Sequence, residues 1–141
     1  MAQAFLVGRV LVGCFWLYNA LKHFTNVDRL ARAAAAHGVP APELFVVFGG
    51  VLLLVGGLSF VLGLFPRIGM AAVVLFLLPV TLIMHAFWAD SSAATRSANV
   101  IRFGSNFALL GSTLMFAAIP RPWPYSIERR LRLPVRASAL T

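Results

Sequence analysis

The chain has 141 residues, 60% of them hydrophobic and only 11% charged, with a mean hydropathy of +0.88. This composition lies outside the usage of soluble globular domains and defines an integral membrane protein of one domain. The net charge of +8 is spread over connections and tail, where Lys and Arg set topology and meet lipid headgroups; without a soluble basic face, nucleic acid is not an expected partner.

Four apolar runs, at about 4–21, 44–65, 68–88 and 100–119, each approach the roughly 17 to 25 residues that a helix needs to cross hydrocarbon. The sequence therefore predicts an all-α fold, an integral membrane four-helix bundle in segment 1–120, followed by a basic tail at 121–141. A short outer-surface helix after the first span and a short basic amphipathic C-terminal helix complete the expected architecture. Four crossings put both termini on one side, and the basic tail assigns that side to the cytoplasm. No basic residue precedes the first run and no small-residue cleavage pattern follows it, so it is expected to remain as a membrane helix.

Run one carries Arg9 near one end, from where it is expected to snorkel to the headgroups. The lone cysteine, Cys14, is expected as a small buried hydrophobe; one cysteine excludes thiol–disulfide exchange within the chain. Asn19, Lys22 and His23 share a helix face at the far end. In the loop 25–42, Thr25 or Asn26 is expected to cap an amphipathic helix, Asp28 suits its first turn, and Gly38 before Val39 and Pro40 stops it.

In run two, Gly49-Gly50, Gly56-Gly57 and Gly63 recur every seventh residue, which lets another helix approach closely along one face. Glu43, at the start of that run, stands within reach of Lys22, Arg29 or Arg102. Pro66-Arg67 folds runs two and three into an antiparallel hairpin, and Pro79 interrupts the backbone bonding of run three. Thr81 and His85 share a face, and Trp88 after Phe87 belongs to an interfacial aromatic belt.

Run four repeats the packing device with Gly104 and Gly111, helped by Ala108 and Ser112, while Arg102 and Asn106, four apart, face one way. Beyond it, Pro120, Pro122 and Pro124 break the helix, and Trp123 is expected to anchor the break at the interface. Ser126 is expected to cap a helix over 127–133. Arg121, Arg129, Arg130, Arg132 and Arg136 are the expected contacts to anionic headgroups.

Together these features resemble the DoxX family of small four-helix membrane proteins. The resemblance rests on Arg9 and Lys22, Gly38-Val39-Pro40, the paired glycines with Gly63 and Arg67, His85, Asn106, and Tyr125-Ser126-Ile127-Glu128-Arg129. It implies a four-helix bundle in a prokaryotic cytoplasmic membrane. The family takes its name from a small subunit of a quinone-linked thiosulfate-oxidising enzyme, and other relatives are associated with redox complexes or membrane-protein assembly. This chain departs from relatives in having Leu53 where a glutamate is usual, Ser105 before Asn106 where lysine is common, and Asn19 in place of a glycine.

The expected function is a packing or interaction subunit of a larger membrane complex, redox and quinone-linked, without catalytic residues of its own. The alternatives are a direct quinone-binding subunit and a stand-alone assembly factor. A quinone needs an apolar slot and donors for two oxygens, which Asn19, Lys22, His23, Glu43, His85, Arg102 and Asn106, with Trp16, Phe87 and Trp88 nearby, are placed to supply. The bland alternative is that these polar groups tie the bundle together. Two histidines, His23 and His85, suffice chemically for haem, but nothing in their spacing demands it. No metal site and no nucleophile–base pair stands out.

Overall fold

The computed structural model describes residues 1–131, and the expectations for Arg132 and Arg136 lie outside them. Four helical segments are long and apolar enough to cross a membrane: Ala2–Thr25, Pro42–Leu62, Pro66–Ala89 and Ala93–Ala118. The helices are α1 (Ala2–Thr25), α2 (Val27–Ala36), α3 (Pro42–Leu62), α4 (Pro66–Pro79), α5 (Ala93–Met115) and the short α6 (Ile127–Arg130). Two ends follow. The loop end holds α2 and residues 85–92; the tail end holds the α3–α4 turn, the start of α1 and residues 119–131.

The centre is α3, which packs on α1, α2 and α4. Glycine decides its geometry. A methyl group at Gly57 would lie 2.9 Å from the carbonyl of Gly13, and one at Gly13 would lie 2.9 Å from the carbonyl of Gly57, so α1 and α3 cross with backbones in contact. Gly49 and Gly50 admit His23 and Phe24 of α1, while Gly56 admits Val73 of α4. The stripe thus serves two neighbours. Gly13, on the partner face, belongs to the same contact.

The α3–α4 hairpin is closed by Gly63 at φ +63, whose N–H bonds Ser59. Ser59 Oγ donates to the carbonyls of Leu64 at 2.7 Å and Phe65 at 3.2 Å, so the turn's acceptors are met inside the apolar bundle. Pro66 opens α4 at a position where its missing N–H costs nothing. Toward the other end, Pro79 cannot donate, and the ladder widens into a π-helical stretch over Val80–Met84 before the chain leaves the helix at His85.

Around α2 the expected stop is present: Gly38 at φ +74 directs Val39 N–H to the carbonyl of Ala34 at 3.1 Å, and Ala31, Ala34 and Val39 are buried. The expected side-chain cap is not. Asn26 occupies the cap position but spends its amide on the carbonyl of Lys22 and the hydroxyl of Thr25.

Two expectations about burial are corrected. Cys14 is exposed on α1, because Gly13 and Trp16 already take the inward face. Gly104 and Gly111 of α5 would meet nothing within 4 Å, so they are not contacts within this chain. The reason is the placement of α5, of whose span only 6% is buried, against 44% for α3. It packs on α4 and the segments around His85 and Phe116, and its other side is bare.

Candidate functional site

The polar residues of the loop end form two groups rather than one. The first is built by α1 and α3. His23 Nδ1 lies 3.0 Å from the carbonyl of Val46, and its ring meets the edge of Phe76 at 5.3 Å. Asn19 donates to Phe15 of its own helix at 2.8 Å, and Lys22 lies 5.2 Å from the Tyr18 ring centroid. Glu43 is exposed and makes no ion pair among the described residues. His23 and Asn19 thus bond backbone carbonyls of α3 and α1, and Lys22 lies over an aromatic ring of its own helix.

The second group joins the third and fourth spans. Where the π stretch ends, His85 Nδ1 lies 3.4 Å from Asn99 Oδ1; Asn99 Nδ2 donates to Asp90 Oδ2 at 3.0 Å, and Arg96 Nη2 donates to the carbonyl of Asp90 at 2.7 Å. The bond to Asp90 orients the Asn99 amide, and an oxygen toward His85 assigns the proton to Nδ1. Nε2 of the neutral ring is then an acceptor, able to take a proton or a hydrogen bond.

Asn99 is therefore the side-chain partner of His85. Neither Asn99 nor Arg96 was among the expected site residues, because α5 begins at Ala93 and not at residue 100. Residues 93–99 are polar but helix-compatible, and Ser92 receives the N–H of Thr95 at 3.5 Å. The available signal was Ser92, a cap residue ahead of Ala93-Ala94.

Arg102 and Asn106 follow Asn99 along one face of α5, which continues to the buried Thr113. Arg102 is exposed and Asn106 half-buried; among the described residues neither side chain has a hydrogen-bond partner. Beside them Phe87 and Trp88 meet Phe103 edge-on at 5.3 and 5.8 Å, and Phe103 stacks on Phe107 at 4.7 Å. Trp88 is exposed, whereas Trp16, expected near this cluster, is enclosed in the core.

At the tail end a third constellation appears. Arg9 is 1% exposed and donates from Nη2 to the carbonyl of Tyr125 at 2.9 Å, so it does not snorkel. Gly63 makes room for its guanidinium, and a methyl there would collide with it and with Ser126. Trp123, expected at the interface, is likewise buried, against Phe5, Phe60 and Phe116. Ser126 caps α6 by accepting the N–H of Arg129 at 3.1 Å. Glu128 is buried and ion-paired to Arg121, while Arg129 and Arg130 are exposed.

Four apolar spans in an all-helical bundle define a multi-pass membrane protein of the small helical-bundle class. The DoxX family model matches residues 4–86, more than half of the chain, and the protein belongs to the DoxX family. The match runs from the start of α1 to just beyond His85, leaving α5 and the tail segment outside it. No curated protein and no solved structure matches the chain.

Proposed function

We propose that this protein is a packing and interaction subunit of a larger membrane complex in a prokaryotic cytoplasmic membrane, with both termini cytoplasmic. The observation that carries this reading is the bare side of α5. A membrane-length helix with Gly104 and Gly111 facing open space can accept another helix at close range, and Ser105 and Ser112 bond to their own helix at 2.8 Å and leave no unmet polar group there. The tail end supports the orientation, since seven of the twelve Lys and Arg residues belong by sequence to that end.

Co-purification from native membranes in mild detergent tests the proposal. A stoichiometric membrane partner lost on Gly104→Leu with Gly111→Leu supports it; a protein that purifies alone and unchanged sinks it. A second reading, contact with a quinone of a redox complex, draws on Nε2 of His85 and the unpartnered amide of Asn106 beside the Phe87, Trp88 and Phe103 rings. Quinone titration tests it: binding unchanged by His85→Ala and Asn106→Ala removes these residues from the reading.

A further inference from the structure

The tail end also bears a groove that quinone contact does not use and that borders the bare side of α5. Arg67 follows Pro66 at the start of α4, directly after the hairpin turn, and Arg121 follows the end of the last span. Both line a groove of about 240 Å3 whose remaining wall includes Met70, Phe116, Ile119 and Trp123. A neighbouring groove of about 300 Å3, formed by Phe5, Ser112 and Met115, shares Phe116 and Ile119 with it. The first is cationic and apolar together; the second is almost wholly apolar.

The charges are specific. Arg121 is held by the buried Glu128, so its guanidinium is fixed in place and its charge balanced. Arg67 is exposed and has no hydrogen-bond or ion-pair partner among the described residues. Arg67, Arg121 and Glu128 therefore leave one unbalanced positive charge at the membrane boundary. A phosphodiester carries one negative charge and oxygens that a guanidinium recognises.

We propose that the Arg67–Arg121 groove is a binding site for one anionic phospholipid, its phosphodiester on Arg67 and Arg121 and the first part of an acyl chain in the groove of Phe5, Met115 and Phe116. The apolar continuation selects a lipid over a soluble phosphate, and the single net charge selects an anionic lipid over a zwitterionic one. Arg129 and Arg130, which line a different groove with Ala2, Pro124, Tyr125 and Ser126, are not part of it.

Native mass spectrometry of the full chain in mild detergent, with added phosphatidylglycerol, phosphatidylcholine or inorganic phosphate, tests the site. One phosphatidylglycerol is expected to be retained in preference to phosphatidylcholine, with no protection from phosphate. Arg67→Gln, at an exposed position, lowers that retention about fivefold, the worth of one cation–headgroup contact. Arg67→Lys keeps most of it, and Arg129→Gln keeps all of it. Equal retention of both lipids, unchanged retention in Arg67→Gln, an equal loss in Arg129→Gln, or competition by inorganic phosphate each overturns the proposal. The outcome is independent of whether a protein partner co-purifies.

Discussion

The guanidinium of Arg9 donates to the backbone carbonyl of Tyr125 at 2.9 Å, so a side chain on the first helix holds the segment that follows the last one. Enclosed by Gly63 and Ser126, this cation works as a clasp between the two ends of the described chain. Truncation removes a charge-assisted hydrogen bond and leaves a cavity. Arg9→Ala is expected to lower stability by about 2–4 kcal/mol in a mixed-micelle unfolding titration. Unchanged stability would show that the tail segment is held by Trp123 alone.

Trp123 is 1% exposed and Trp88 is 57% exposed, although sequence context places both at span ends. Trp123→Ala empties part of the Phe5, Phe60 and Phe116 cluster and is expected to cost about 3–5 kcal/mol. Trp88→Ala is expected to change the same unfolding titration by less than about 1 kcal/mol. Similar losses for the two variants would contradict the enclosed position of Trp123.

The glycines divide by what surrounds them. Gly13→Ala places a methyl against Val61 and the carbonyl of Gly57, and separating α1 from α3 is expected to cost about 1–3 kcal/mol. Gly111→Ala meets nothing and replaces a poor helix former, so the isolated protein should gain up to about 1 kcal/mol. Thermal unfolding in detergent reads both signs, and a loss for Gly111→Ala would mean that its face is already packed, for instance by a second copy.

Asn99 bridges His85 and Asp90, so it ties the end of the third span to the start of the fourth. Asn99→Ala should raise hydrogen exchange across residues 85–92, corresponding to about 1–2 kcal/mol of lost local protection. Asn106→Ala breaks no bond within the described chain and should leave that exchange unchanged. Equal effects would place Asn106 within the network.

Much of this architecture is legible in the residues alone. The four apolar lengths, the glycine period of α3, the hairpin at Pro66, the stop at Gly38 and the cap at Ser126 are local or periodic features, and local physics suffices to read them. Tertiary structure decided which neighbours each polar side chain meets. Arg9 became buried because Gly63 and the returning tail enclose it; Asn99 meets His85, a contact the residues alone did not reveal because α5 starts in a polar stretch that hydropathy passes over. Gly104 and Gly111 carry the same small-residue signal as Gly56 and Gly57, yet α5 turns them outward. A period specifies a helix face, but only the packing of the bundle determines whether that face meets a neighbour or lies bare.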